Sequence, residues 1–287
     1  MRIRASKHRT GGGGSGSLAA GLGTPNYTEL FNYTGPTQTA FTNNWAVSTY
    51  GGLYITEDVQ FTSANISFPT NATTGVPCLA LKLTQTTLTN CTGAEIVSVN
   101  ALNASTGLGN YGTYEWWMRQ GSSATTPTGA GTAQSGGVSS IFPYNGNNAT
   151  GTVDYVEIDA PEAEGQYNTK VGYALYNGNP QSPNPSPSPT GTGFTWDSTI
   201  GDDSYLAVIE PDQTFHYYGF IWTSTSITYY LDGVLQGSAT SGIPQANAGG
   251  YITNIDCNHY GTNSAGFGGT WTSGTRYAYV NSIKYWA

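Results

Sequence analysis

Short runs of β-branched and aromatic residues, separated by turns rich in Gly, Asn and Pro, recur along most of this chain. Such runs predict β-strands, and no window keeps a helical period for three turns. In the segment SITYYLDGVL, the pair Asp232-Gly233 predicts a tight hairpin. Many short strands over about 270 residues predict an all-β fold, a jelly-roll sandwich of two antiparallel sheets. The clearest runs are residues 78–85, 112–119, 153–159, 215–222 and 276–285.

Charged residues are scarce, and their distribution excludes several classes of protein. Asp, Glu, Lys and Arg make up 9% of the 287 residues, against about a quarter in an average soluble domain. Four of the nine basic residues lie in the first ten positions, so five basic residues remain against 17 acidic ones. Such an acidic body repels nucleic acid, and no apolar run of about 18 residues could span a membrane. We therefore expect neither nucleic acid nor a membrane as a partner.

Two low-complexity segments determine the predicted domain organisation. Residues 1–17 combine a basic stretch with a Gly/Ser run and contain no apolar core of a signal peptide. We interpret them as a leader or linker outside the fold. Residues 178–193 alternate Pro with polar residues and favour an extended path. Too few strands follow for a second sandwich, so we expect a surface loop within one domain covering residues 18–287.

The composition also suggests a cellular location. Few Lys, many Thr and Asn, and a pI of 4.6 are typical of a secreted, extracellular protein, which we expect to be monomeric. Cys78 and Cys91 are close enough in sequence to close a short disulfide loop, which would leave Cys257 free. The sequence leaves that disulfide open. The three cysteines do not have the spacing of zinc ligands.

Five carboxylates fall within eleven positions of one predicted strand, residues 153–164. In a chain with so few charges, placing like charges together costs stability, which points to function. Two other readings stay open from the residues alone: an acidic strand that keeps the protein soluble, or a calcium site.

The geometry of this strand brings two of its glutamates onto one face. Glu157 and Asp159 alternate with Ile158, which should point into the core. Strict alternation would put Glu162 on the wrong face, but a β-bulge near 160–161 would restore it. The two glutamates are then four effective positions apart, or roughly 13 Å between Cα atoms. Inward-leaning side chains would bring the carboxyls near the roughly 5–5.5 Å separation of retaining glycosidases.

The segment EIDAPE at 157–162 resembles the catalytic signature of glycoside hydrolase family 16 in its bulged form, Glu-x-Asp-x-x-Glu. The resemblance covers roughly residues 75–286. It implies a concanavalin A-like jelly roll with a concave cleft for polysaccharide, and retaining endo-hydrolysis of β-glucans. The other motifs that carry it are YGTYE at 111–115, GVSSIFPY at 137–144, FHYY at 215–218, Trp222, YLDG at 230–233 and IKY at 283–285.

The resemblance implies a role for each catalytic carboxylate. Glu157 would be the nucleophile and Glu162 the general acid/base, with Asp159 between them tuning their ionisation. The charge of Glu157 should raise the pKa of Glu162, which keeps that carboxyl protonated for the leaving oxygen. When the glycosyl-enzyme forms, this charge disappears and Glu162 can deprotonate water.

Sugar rings have apolar faces, so the predicted substrate surface is mainly aromatic. By the resemblance, Glu95, Phe142, Tyr144, Tyr155 and Tyr176 match sugar-contacting positions. We add His259 and Trp271 as further cleft candidates. Core packing is the competing explanation for any single ring. Trp116 and Trp117 are adjacent, so they must face opposite ways, and we expect His216 to be structural.

Three departures from the lichenase pattern bear on which glycan is bound. Ala174 stands where lichenases have a sugar-binding Asn, Cys257 is near a Trp position, and Val97 replaces an Arg. The bulged motif is commoner in the laminarinase, agarase and carrageenase branches. Asn281 occupies the position of an Asp that often binds calcium on the convex face. We expect no required cofactor and no catalytic metal, and structural calcium stays open.

These features predict a secreted retaining endo-β-glucanase acting on β-1,3-1,4- or β-1,3-glucan. The alternatives are a non-catalytic glucan-binding lectin on the same sandwich, or a family member acting on xyloglucan, agarose or carrageenan. A serine hydrolase is disfavoured because the sequence contains no Gly-x-Ser-x-Gly elbow. The scarcity of Lys and Arg leads us to expect an activity optimum below about pH 6.

Overall fold

The computed structural model describes most of the chain from residue 16 onwards. The described residues are 16–19, 21–49, 59–87, 90–99, 110–133, 135–145, 155–164, 170–178, 205–207, 213–240, 243, 246, 252–259 and 269–287. The predicted leader (apart from Gly16 and Ser17) and nearly all of the Pro-rich segment lie outside these residues.

The regular structure is almost entirely strand. In chain order the strands are β1 (Tyr27–Glu29), β2 (Trp45–Val47), β3 (Val59–Phe61), β4 (Ile66–Ser67), β5 (Thr70–Asn71), β6 (Val76–Pro77), β7 (Leu79–Thr87), β8 (Asn90–Ser98), β9 (Gly112–Ser122), β10 (Gly137–Asn145), β11 (Tyr155–Glu164), β12 (Lys170–Gly178), β13 (Tyr205–Ala207), β14 (His216–Trp222), β15 (Ile227–Leu231), β16 (Val234–Ala239), β17 (Ile252–His259) and β18 (Gly274–Trp286). One short helix, α1 (Thr39–Thr42), and a 3₁₀ turn at Ser63–Asn65 precede the long strands.

The strands form two layers, which we call the front and back sheets. The front sheet has the order β13-β12-β11-β10-β17-β8, and the back sheet has the order β7-β18-β9-β14-β15-β16. Strand β8 connects them: Cys91 to Gly93 pair with β3 in the back layer, and Ala94 to Val97 pair with β17 in the front layer. The all-β jelly-roll prediction is confirmed.

One continuous apolar core fills the space between the sheets. It takes side chains from the front sheet, such as Ile96, Ile141 and Ile158, and rings from the back sheet, such as Trp116 and Phe220. All five side chains are fully buried. Since side chains alternate along a strand, the residues on either side of Ile158 must face away from the core.

The turn between β15 and β16 has the predicted tight form. Asp232 and Gly233 have φ angles of 49° and 73°, and two consecutive left-handed residues are characteristic of the type I′ hairpin. Asp232 Oδ2 also lies 2.7 Å from His216 Nδ1, and its Oδ1 accepts a 2.9 Å hydrogen bond from Tyr217 N. His216 thus fastens this hairpin to β14.

The structure describes the two cysteines that could have formed a disulfide, and it also describes the end of the predicted leader. Cys78 and Cys91 are separate, buried thiols in different apolar clusters, and burial raises the pKa of Cys78 to about 12. Ser17 Oγ donates to the Glu115 carboxylate at 2.7 Å, so the end of the predicted leader contacts the back sheet. No helix among the described residues is long and apolar enough to cross a membrane.

Candidate active site

Strand β11 carries the predicted bulge. Glu157 pairs with Tyr144 on β10 and with Tyr176 on β12, whereas Glu162 pairs with Ser140 and Gly172. Five residue steps on β11 therefore oppose four on each neighbouring strand. The extra residue lies between Asp159 and Glu162, at the Ala160-Pro161 peptide, which is cis.

The bulge puts the three acidic residues of the signature on the outer face of the front sheet. Ile158, Ala160 and Ala163 belong to the core, and the acidic residues between them face the other way. Glu157 and Glu162 are half-buried, so their carboxyls remain within reach of a ligand. Four effective steps separate them, or roughly 13 Å between Cα atoms.

Asp159, between the two glutamates, is fully buried. Its charge helps to raise the pKa of Tyr229 in the core, although burial of that phenol contributes more. Asp159 is thus enclosed in the sheet, while its two neighbours are accessible. This difference suits a group that acts on adjacent carboxylates rather than on a ligand directly.

A buried tryptophan supports the bulge from the core side. The indole Nε1 of Trp116 donates a hydrogen bond to the carbonyl oxygen of Ala160. Because a bulge disrupts the regular ladder, a backbone carbonyl there needs a hydrogen-bond donor from outside the ladder. Edge-on contacts with Tyr114 and Phe220, at 6.2 and 5.6 Å between ring centroids, hold the indole in position. This role was not predicted, because no local pattern in the sequence links Trp116 to a strand 44 residues away.

A fourth carboxylate, Glu95 on β8, lies on the same outer face. It follows Ala94 and precedes Ile96, both in the core. Burial raises the pKa of Glu95 above 4.5; the Ser48 hydroxyl opposes this shift, and the nearby charge of Glu157 adds to it. The influence of Glu157 shows that the sheet brings together two acids 62 positions apart in sequence.

The strand register connects Glu95 to Glu162 through a row of paired residues across the front sheet, which we call the acidic row. Glu95 pairs with Asp256 on β17, Asp256 pairs with Ser140 on β10, and Ser140 pairs with Glu162. Asp256 is not among the predicted site residues, because its segment IDCNH shows no recognisable catalytic spacing. The pairing alone places its backbone in the row of the candidate site.

The predicted aromatic positions are described to different extents. Phe142 lies midway between the β10 partners of Glu157 and Glu162, and it is half-buried. Trp271 is half-buried in the segment before β18, where its Cα lies close to Gly136. For the other four candidates only the backbone is described, and their side chains lie outside the described part: Tyr144 and Tyr176 pair with Glu157, Tyr155 pairs with Gly178, and His259 pairs with Gly137.

Neither member of the tryptophan pair lines the front face. Trp116 is in the core, and Trp117 is on the outer face of the back sheet, stacked on Tyr217 with 5.5 Å between ring centroids. Of the departures noted above, Ala174 pairs with Asp159, and Val97 pairs with Asn254. Val97 is two residues along β8 from Glu95, and Ala174 is two residues along β12 from the partner of Glu162.

Asn281, where the sequence left a structural calcium open, is hydrogen-bonded within the protein. Asn281 Oδ1 accepts a 3.0 Å hydrogen bond from Asn71 Nδ2. The Asn71 amide cannot turn round, because its Oδ1 accepts a 2.9 Å bond from Thr73 N. An amide donor thus points at Asn281 Oδ1, whereas calcium is bound by oxygen ligands. Among the described residues, no three or more His, Cys, Asp or Glu side chains group together in a way that could hold a metal ion.

Two half-buried glutamates on one sheet face, with a buried aspartate between them, form the arrangement that the sequence predicted for a glycoside hydrolase on a jelly-roll sandwich. The chain belongs to glycosyl hydrolases family 16, whose family model matches residues 57–248. No curated protein sequence matches it significantly.

Solved structures share this fold at low sequence identity. The beta-glucanase of Bacillus licheniformis is 21% identical, with a TM-score of 0.63; the match covers 91% of this chain and 97% of the glucanase chain. The laminarinase of Flavobacterium sp. UMI-01 is 17% identical with a TM-score of 0.61, covering 92% and 100%. A mixed linkage glucan family 16 protein of Bacteroides ovatus, solved with a G4G4G3G product, is 14% identical with a TM-score of 0.60, covering 90% and 99%.

Proposed function

We propose that this protein is a secreted, retaining endo-β-glucanase that hydrolyses mixed β-1,3-1,4-glucan, β-1,3-glucan or both. The observation that carries the proposal is the bulged register of β11, which places Glu157 and Glu162 four effective positions apart on one face. The structural relatives described as beta-glucanase and laminarinase support β-glucan as the substrate class.

The mechanism follows from the positions of the two glutamates. Glu157 attacks the anomeric carbon and forms a glycosyl ester, while Glu162 gives its proton to the departing glycosidic oxygen. Glu162 then removes a proton from water, the water oxygen attacks the same carbon, and the bond to Glu157 breaks. Two displacements at one carbon retain its configuration. The enclosed Asp159 would tune the two glutamates through the strand and requires no contact with the sugar.

The proposed assay removes each glutamate separately. Glu157→Ala and Glu162→Ala should keep the parental melting temperature and lose more than about a thousandfold in the rate of reducing-sugar release. In Glu162→Ala, an aryl glycoside whose leaving group needs no proton should still transfer its glycosyl group to Glu157 and release the aryl oxide. Glu115→Ala is a matched control, since it removes a buried carboxylate from the back sheet and should leave the rate per folded molecule unchanged. Substantial hydrolysis by either front-sheet variant would refute the assignment.

A substrate panel separates this proposal from its alternatives. Barley β-glucan, laminarin, xyloglucan, agarose and carrageenan should be assayed for reducing-sugar release and for binding. Release from the first two supports the endo-β-glucanase, and release only from another member identifies a different family activity. Binding without release on every polymer would favour a lectin. The anomeric configuration of the first product, followed by NMR, should be that of the substrate.

Three properties complete the proposal. We place the enzyme outside the cell because of its low Lys content and acidic pI of 4.6. We propose that it acts as a monomer without a cofactor, which size-exclusion chromatography and dialysis against a chelator would test. We also keep the expected optimum below about pH 6; a rate profile that peaks above about pH 7 would contradict it.

A further inference from the structure

A pocket of about 270 Å³ opens on the side of the sandwich opposite the acidic row. It is lined by Thr73, Trp117, Pro127, Thr128, Gln213, Thr214 and Phe215. Trp117 follows Trp116 and precedes Met118, both in the core, so its indole lies on the outer face of the back sheet. The pocket is therefore separated from Glu157 and Glu162 by the whole thickness of the sandwich.

Aromatic rings and uncharged polar groups make up most of this lining. Trp117 and Phe215 contact each other with 5.1 Å between ring centroids, and Tyr217, outside the lining, stacks on Trp117 at 5.5 Å. Around the rings stand three threonine hydroxyls and the amide of Gln213. None of the lining residues is ionisable. Flat apolar surface beside neutral hydrogen-bonding groups complements a neutral polyhydroxylated ring, which has an apolar face and a rim of hydroxyls.

The wall of the pocket is held in place by buried hydrogen bonds. Arg119, which is fully buried, donates through Nη1 to the carbonyls of Pro127 and Gly129 at 2.9 and 2.8 Å. Tyr279 Oη donates to the carbonyl of Ala124 at 2.7 Å, and the Gln213 amide donates to the carbonyl of Gly131. A wall fixed before binding lowers the ordering cost that a ligand must overcome. The charge of Arg119 is thus buried, and Arg119 is not one of the residues that line the pocket.

We infer that this pocket is a second carbohydrate site, which holds one ring of a neutral β-glucan away from the cleavage site. The choice of glucan rests on the proposed function; the choice of a neutral sugar rests on the lining. A volume of about 270 Å³ lies just below the usual range for drug-sized ligands, so it suits a single sugar ring rather than a long segment. Holding the polymer at a second point raises its effective concentration near the sheet that cleaves it.

The test is affinity electrophoresis through gels containing barley β-glucan or laminarin, in a Glu157→Ala background that prevents hydrolysis. Thr214→Arg places a long charged side chain across the pocket from an exposed position. Thr225→Arg is its matched control, because Thr225 is equally an exposed threonine at the opposite end of β14. We expect Thr214→Arg to weaken glucan retardation by at least about threefold and Thr225→Arg to leave it unchanged.

A second variant and a second readout keep the outcome decisive. Trp117→Ala should weaken retardation as Thr214→Arg does, and its melting temperature shows whether the sheet stays folded. In the active enzyme, Thr214→Arg should raise KM for long glucan more than for a short oligosaccharide. Equal retardation of Thr214→Arg and Thr225→Arg would overturn the second site while leaving the proposed hydrolysis intact. If no glucan is hydrolysed but the retardation difference persists, the endo-glucanase proposal fails and the pocket stands.

Discussion

Replacing Trp116 with phenylalanine would remove the indole N–H that donates to the Ala160 carbonyl from the core side of the bulge. Leaving this buried carbonyl without its partner should cost about 1–3 kcal/mol. The smaller ring also leaves space against Tyr114 and Phe220, which adds about 1 kcal/mol or more. The total, about 2–4 kcal/mol, corresponds to a melting temperature lower by roughly 5–15 °C for a domain of this size.

The effect on activity should exceed the effect on folding. The bulge sets the spacing of Glu157 and Glu162, and a displacement near 1 Å in a catalytic group can cost about a hundredfold in rate. We therefore expect Trp116→Phe to lower kcat about tenfold to a hundredfold at a temperature where the protein is fully folded. Steady-state kinetics on glucan and calorimetry on the same samples measure the two quantities separately.

Trp45 provides the matched control for this prediction. Its indole is equally buried, and its Nε1 donates a 2.9 Å hydrogen bond to Glu29 Oε2 on the N-terminal segment. Trp45→Phe should therefore lose a similar amount of stability, about 2–4 kcal/mol, and keep the parental kcat. If Trp116→Phe has the parental kcat as well, or if both variants lose kcat equally, the tryptophan does not position the glutamates.

Three further predictions concern stability. Burial raises the pKa of Glu95 above 4.5, so its contribution to stability is fully present below pH 4.5 and is lost as the pH rises through the pKa of the folded state. Between pH 4 and pH 7 the melting temperature of Glu95→Gln should therefore rise relative to that of the parent, and a difference that does not change with pH would contradict this. Glu29 accepts hydrogen bonds from Phe31 N and Tyr33 Oη at 2.7 and 2.8 Å. Glu29→Gln should therefore lower the free energy of unfolding, measured with denaturant, by about 2–4 kcal/mol, whereas a loss below about 0.5 kcal/mol would show that these bonds contribute little. Because an amide donor faces Asn281, excess EDTA should leave the melting temperature unchanged, and a fall of several degrees would reveal a stabilising cation.

Local patterns predicted the fold class and the catalytic strand. Alternation of apolar and acidic residues predicted that Ile158 points inward and Glu157 outward; Ile158 does lie in the core, and Glu157 is half-buried. A bulge near 160–161 was predicted because it returns Glu162 to the face of Glu157, and Pro161 fits that bulge because proline cannot donate to a ladder. The Asp232-Gly233 pair likewise predicted its hairpin, since few residues other than glycine, asparagine and aspartate adopt left-handed φ angles readily.

Contacts between distant strands were beyond the reach of the sequence. The donor from Trp116 to Ala160 and the row from Glu95 through Asp256 to Glu162 depend on which strands are neighbours in space. The sequence could not orient the adjacent pair Trp116 and Trp117, because alternation gives opposite faces without saying which face is buried.

By itself, then, the sequence determined which residues share a strand face and where a strand must bulge, because side-chain alternation and the missing proline N–H are properties of the local backbone. Only the tertiary structure decided which strands lie side by side, since sheet order is set by non-local pairing across the core. That pairing joined Glu95 to the acidic row and placed Trp116 beneath the bulge. It also turned Trp117 and Phe215 away from both, into a pocket on the other side of the molecule.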